Sequence, residues 1–201
     1  MKLIINKSIT YVFIVTICAL IITSCKEGDG FADQGFELIY IPQATVSSGL
    51  NNYYPVPSGA GPNTYNFKVD TLPNGTPDKL QIILGVYRSG KVANADGFTV
   101  NVNVLQLTDD VLAEIDEEVD VISMPSSMYT IPGSASVEAG KNSTWFYLTV
   151  DIGQLLNGNY TGNKLALNVG ISNPTNYKLC ETGTSVVVII DVDAISNLLN
   201  N

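Results

Sequence analysis

Apolar and polar residues alternate along most of this chain, and a period of two is the mark of β-strands with one buried face. The clearest case is Phe98-Thr-Val-Asn-Val-Asn-Val-Leu105. There Val100, Val102 and Val104 share one face, while Asn101 and Asn103 face water or a neighbouring strand. Similar patterns predict strands over 36–41, 64–69, 79–87, 129–131, 135–138, 144–152, 164–172 and 185–193. Turn-forming residues separate them. Pro42 closes the first strand, Leu72-Pro-Asn-Gly-Thr-Pro77 and Ser89-Gly-Lys91 make turns, and residues 49–63 read as a polar loop holding Tyr53 and Tyr54. One helix interrupts the strands. Thr108 is placed to cap it, Asp109 and Asp110 suit its positive N-terminal end, and Val111, Leu112 and Ile115 form its apolar stripe. It frays near Asp116-Glu-Glu118. Gly153-Gln-Leu-Leu-Asn-Gly158 reads as a short helical turn. About nine strands without helix–strand alternation predict an all-β fold, an immunoglobulin-like Greek-key β-sandwich with one short helix. It would occupy residues 36–195, with 196–201 as a short tail.

The first 30 residues follow a different pattern. Lys2 and Lys7 give a basic start, the apolar run Tyr11-Val-Phe-Ile-Val-Thr-Ile-Cys-Ala-Leu-Ile-Ile22 follows, and the small residues Thr23 and Ser24 precede Cys25. These are the three parts of a cleaved signal peptide. The apolar run is shorter than the roughly 20 residues that span a bilayer. Ile22-Thr23-Ser24-Cys25 resembles the bacterial lipobox, which implies removal of residues 1–24 and lipid on Cys25. Several acyl chains on one residue make a durable anchor, since each buried methylene contributes about 0.8 kcal/mol. Lys26-Glu27-Gly28-Asp29 resembles the signal that sends lipoproteins of Bacteroidetes-type bacteria to the outer face of the outer membrane. Residues 25–35 would then be a flexible tether, and the expected location is the outer membrane, exposed at the cell surface.

Composition removes several functions. The chain has 10 basic and 19 acidic residues, a net charge of −9, and loss of Lys2 and Lys7 with the signal peptide takes it to −11. Nucleic-acid binding needs clustered cations, so nucleic acid is not an expected partner. The sequence contains no histidine, which excludes Ser-His-Asp catalysis, imidazole bases and the usual zinc ligand sets. Of the three cysteines, Cys18 leaves with the signal peptide, Cys25 carries lipid and Cys180 is read as a small core residue. No disulfide or cofactor is expected. Carboxylate pairs alone can hydrolyse glycosides, but nothing places two of them across a cleft, so the expected protein is not an enzyme.

Five stretches in this order resemble a known family: Ile39-Tyr40-Ile41-Pro42, Phe98 to Val104, Met124-Pro125 through Ile131, the Val137-Glu-Ala-Gly140 turn, and Phe146-Tyr-Leu-Thr-Val-Asp-Ile152. The family is a β-sandwich domain of unknown function from Bacteroidetes outer-membrane lipoproteins. It forms the N-terminal module of polysaccharide-utilisation surface proteins and of some family 18 endoglycosidases. The resemblance covers residues 36–193. It implies a non-catalytic accessory or glycan-binding role in polysaccharide utilisation, with glycan and transporter-complex proteins as candidate partners. The alternative is a structural or adhesive lipoprotein that contacts protein partners.

Particular residues carry these expectations. In Thr144-Trp-Phe-Tyr-Leu-Thr-Val-Asp-Ile152, Phe146, Leu148, Val150 and Ile152 point to the core, and Trp145 and Tyr147 point the other way, side by side. Aromatic faces so placed stack on sugar rings. Tyr53 and Tyr54 are a second candidate platform. The acids Asp116, Glu117, Glu118 and Asp120 lack the spacing of a calcium loop and read as a solvated helix end. Asp191 and Asp193 fall on one face of the last predicted strand, and no metal is assigned to them. Asp70-Thr71-Leu72 resembles the Bacteroidetes O-glycosylation signal, which makes Thr71 a candidate modification site. For the anchor, Cys25→Ala is expected to abolish incorporation of labelled palmitate and to release the protein from the membrane fraction. Label retained by that variant would remove Cys25 as the lipid site.

Overall fold

The computed structural model describes residues 37–200 apart from 47–51, 62–63, 92–93 and 117; the signal segment, Cys25 and the tether lie outside the described residues. The longest strand is β4, Pro77–Arg88, where Leu80, Ile82, Leu84 and Val86 are fully buried and alternate with residues that face outward. Its partner is β9, Ser143–Asp151, antiparallel from Lys79↔Asp151 to Tyr87↔Ser143. Alternation turns Phe146, Leu148 and Val150 to the same side as the β4 apolar set. β1 (Leu38–Tyr40), β3 (Phe67–Thr71), β7 (Tyr129–Thr130) and β11 (Lys178–Leu179) complete this sheet, sheet A, in the order β11-β1-β4-β9-β7 with β3 also on β4.

Sheet B is built on β10, Lys164–Ser172, with the order β2-β12-β10-β5-β8 and β6 also on β10. Its other strands are β2 (Tyr53–Val56), β5 (Phe98–Leu105), β6 (Val121–Ser123), β8 (Ser134–Val137) and β12 (Ser185–Asp191). The inner faces of the two sheets meet in one apolar core that includes Leu165, Leu167, Val169 and Ile171 from β10 and Val186, Val188 and Ile190 from β12. Each such side chain contributes roughly 1.5–3 kcal/mol on burial. The protein is therefore an all-β sandwich, as the alternation predicts. All the predicted strands form. The short strands β2, β6 and β11 are additional, and all three join their sheets by parallel pairing.

The helices differ more from expectation. α1 (Gln43–Val46) and α4 (Val192–Leu199) flank a predicted α2 (Asp109–Ile115) and an α3 (Ile152–Leu155) that starts where the last residue of a strand was expected. Thr108 is the N-cap residue of α2, though its side chain makes no capping bond. The reason for α3 and α4 is one device used twice. Asp151 and Asp191 end their strands and accept the N–H of Gln154 and Ala194, each at 2.8 Å, so the chain turns into a helix at an acid. Val192 continues the alternation in sequence, which is why the last strand reads as longer than it is, and α4 takes residues expected in strand and tail. Val104 also departs: it shares the face of Val100 and Val102 but is 41% exposed near the end of its strand.

Two buried polar groups close gaps in sheet A. β1 and β3 share one edge of β4 and leave its middle unpaired. There Asn66 O accepts the Ile83 N–H, and the buried Gln43 side chain accepts the Gly85 N–H at 3.1 Å. At the end of the sandwich Arg88 is fully buried, donating to Glu37 Oε1 at 2.8 Å and to Lys91 O at 2.7 Å, with its guanidinium 4.7 Å from the Tyr177 ring centre. Tyr177 holds φ at +67°, a costly conformation for a bulky residue, and anchors its hydroxyl on Asp96 O. A buried donor left without an acceptor costs about 1–3 kcal/mol. Gln43→Ala is therefore expected to lower unfolding free energy by about that amount in urea titration. An unchanged midpoint for the alanine variant would show that Gly85 finds another partner.

Candidate functional site

The outward residues of β4 and β9 form a face whose two ends differ in chemistry. The register sets Tyr87 opposite Ser143, Gly85 opposite Trp145, Ile83 opposite Tyr147, Gln81 opposite Thr149 and Lys79 opposite Asp151. β1 adds Tyr40 beside Tyr87, and β3 adds Lys68 beside Gln81 and Asp70 beside Lys79. Tyr40, Tyr87, Trp145 and Tyr147 thus cross the sheet diagonally on one side. Trp145 is 57% exposed, the most exposed of the large apolar residues on the described surface. Its indole lies over Gly85: a Cβ at that position would come within 2.8 Å of Trp145 Cε3 and 2.9 Å of Cζ3. Only a residue without a side chain lets the ring lie down on the strand with its other side to solvent. Around it, the Tyr40 and Tyr87 rings pack tilted at 5.3 Å, and Asn142 donates to the Tyr87 hydroxyl at 2.9 Å. Burial pushes the Tyr40 phenol up, with smaller contributions from Tyr87 and Cys180, so it stays a neutral hydrogen-bonding group.

The other end of the face is ionic. Lys79 contacts Asp151 at 2.8 Å and Asp78 at 3.4 Å. The hydrogen bond from Lys79, followed by the one from Gln154 N–H, holds the Asp151 carboxyl below the usual range, and Asp151 in turn raises Lys79. Gln81 Nε2 donates to Asp70. Both carboxylates on this face are thereby engaged by neighbouring donors.

The structure brings Trp145 and Tyr147 together as the strand pattern requires, and adds Tyr40 and Tyr87. Those two were missed because each shows only as an outward residue of its own strand; the cross-strand register that joins them is not written locally. Tyr53 and Tyr54 are a correction. They lie in β2, not in a loop, because parallel pairing with Val187 and Val188 of β12 draws this segment into sheet B. Successive residues then face opposite ways: Tyr54 packs against the core, where desolvation pushes its phenol up against the opposing effect of an Asn66 hydrogen bond. Tyr53 packs on Ala166, Val187 and Ile189 and borders a groove of about 360 Å³ with Ile115 and Lys164. They do not form a joint platform.

Asp191 and Asp193 are a second correction. They do not share a strand face, because Asp191 caps α4 and Asp193 lies in its first turn, accepting the Gly162 N–H at 3.1 Å. Asp116 pairs with Lys164 and accepts the N–H of Glu118 and Val119. These bonds, Lys164 first, hold its carboxyl low. Glu117 lies outside the described residues, and among those described no three His, Cys, Asp or Glu side chains converge on a metal position. Thr71 ends β3 at a bulge and is exposed. Cys180 is half-buried beside Tyr40.

With fold and face defined, the molecule belongs structurally to the two-sheet β-sandwiches, and solved structures from Bacteroides ovatus share features of it. A protein of unknown function is 16% identical with a TM-score of 0.50, over 81% of this chain and 46% of that one. A "putative carbohydrate binding protein" is 11% identical with a TM-score of 0.47, over 77% and 36%. A multidomain protein including DUF1735 is 13% identical with a TM-score of 0.48, over 76% and 43%. The chain spans less than half the length of each, and likeness at this level concerns the fold alone. No protein-family model matches the sequence, and no curated protein does.

Trp145 is the single tryptophan, so its fluorescence reports on this face without labelling. Gly85→Ala is expected to lift the indole and to change its quenching by iodide and its emission maximum, with far-ultraviolet dichroism unchanged. Identical quenching would mean the ring does not rest on Gly85.

Proposed function

We propose that this protein is a lipid-anchored, non-catalytic surface protein that holds glycan on the outer face of sheet A, as an accessory of a polysaccharide-utilisation system. The observation that carries the reading is Trp145 resting over Gly85 and 57% exposed, with Tyr147 beside it. The apolar face of a sugar ring stacks on such an indole, and nearby hydroxyl and amide groups offer hydrogen bonds to its edge. A flat strand face suits an extended polysaccharide better than a small enclosed substrate, which binds in a concave site. The absence of histidine and the engagement of Asp70 and Asp151 support binding over catalysis. With attachment through Cys25 at the outer membrane, the protein exercises this role at the cell surface.

A second reading, a structural lipoprotein contacting protein partners, is favoured by one observation. Val104 and Leu105 are 41% and 42% exposed at the border of a hollow of about 400 Å³ beside Asn168. Exposed apolar side chains at the margin of a hollow are a feature of contact surfaces. The two readings separate in one experiment. Titration with a panel of plant and host polysaccharides is expected to find a ligand whose dissociation constant rises about tenfold in Trp145→Ala, a loss of about 1.4 kcal/mol. Parent-like binding by that variant, or no binding by the parent, would reject the platform and leave the protein-contact reading.

A further inference from the structure

If the aromatic face holds glycan, the charges on that same face determine which glycans it favours. In the row Asp70, Lys79 and Asp151, the lysine is taken up by Asp151 and Asp78, and Asp70 by Gln81. Lys68 stands one row nearer the aromatics, opposite Gln81. Among the described residues its ammonium makes no ion pair. Its Nζ instead donates to the Tyr147 hydroxyl at 3.3 Å and lies 5.5 Å from the centre of that ring. An ammonium has three donors, and the phenol uses one. A cation without a carboxylate is thus held at the margin of the Trp145–Tyr147 platform, on a chain whose net charge is −9. Acids beyond about 8 Å are screened at physiological salt; of those nearer, Asp70 is held by Gln81 and Asp151 by Lys79, so the ammonium without an ion pair at the margin of the platform sets the local preference. Stacking on an indole does not depend on the ligand's charge, whereas a spare ammonium does discriminate.

We propose, resting on the glycan-binding role above, that the platform takes an anionic glycan, one that bears a uronate carboxylate or a sulfate ester. A sugar ring stacks on Trp145, and the anionic substituent accepts from the free donors of Lys68 Nζ. Tyr147 positions that ammonium, through its hydroxyl and ring face.

The test is titration of the full chain, Lys68→Gln and Trp145→Ala with three probes of equal length: an oligogalacturonide, a sulfated carrageenan oligosaccharide, which has no uronate, and a neutral cello-oligosaccharide. The parent is expected to favour an anionic probe over the neutral one about two- to fivefold, the scale of an exposed ion pair. The preference should vanish at high salt and in Lys68→Gln, while that variant keeps parental affinity for the neutral probe and parental Trp145 fluorescence. Which anionic probe wins tells uronate from sulfate. If Lys68→Gln keeps the preference, or the parent binds all three alike, the anionic inference falls and the platform stands. If the parent binds none of the three, or Trp145→Ala binds them as the parent does, both readings fall.

Discussion

The pairing of β4 with β9 constrains both the core and the candidate site. Because side chains alternate across a strand, placing Leu80, Ile82, Leu84 and Val86 of one strand and Phe146, Leu148 and Val150 of the other inside commits Gly85, Trp145 and Tyr147 to the outside. A slip of one residue in β9 would bury the indole and expose the apolar set, so the energy of the core also protects the register of the platform. The burial of seven large apolar side chains, each contributing roughly 1.5–3 kcal/mol, greatly exceeds what an exposed tryptophan costs. The platform is maintained by the core behind it.

The two sheets treat their outer faces differently. β12 runs Ser185-Val-Val-Val-Ile-Ile-Asp191, apolar on both sides, and its outward Val187 and Ile189 are covered by α2 and its flanks through Leu107, Leu112, Ile115 and Val121. Strands buried on both faces read as continuous apolar runs. β9 instead alternates apolar with polar or aromatic residues, and its outward side stays accessible at Trp145. The sandwich thus has an open aromatic face opposite a covered aliphatic one. The polar devices that complete the fold, Gln43 on the Gly85 N–H and Arg88 between Glu37, Lys91 O and Tyr177, both act on β4. Gln43 holds the backbone of the same glycine on which the indole rests, which links the order of the sheet edge to the flatness of the platform.

Much of this was legible in the residues alone. The long strands were marked by alternation or, in β12, by a continuous apolar run, α2 by its acidic first turn and apolar stripe, and the outward placement of Trp145 and Tyr147 by their alternation with Phe146 and Leu148. The failures have two causes, one long-range and one local. β2 is short, holds Pro55 and sits among turn residues, so nothing local marks it; its parallel pairing with β12, more than a hundred residues away, makes it a strand and sends Tyr53 and Tyr54 to opposite faces. Asp191 looked like an outward strand residue because the following apolar Val192 preserved the period, and only the capping bond to Ala194 shows that the chain has turned.

The sequence by itself determined what depends on neighbours along the chain: strand periodicity, the start of α2, the charge that disfavours nucleic acid and the lack of histidine that rules out imidazole chemistry. Tertiary structure alone decided what depends on register and layer: that Tyr40 and Tyr87 join Trp145, that Gly85 provides the bed for the indole, and that Lys68 reaches Tyr147 from a strand 79 residues away. The physical reason is that a side chain's face follows from local geometry, whereas its partners follow from long-range pairing chosen by the whole core.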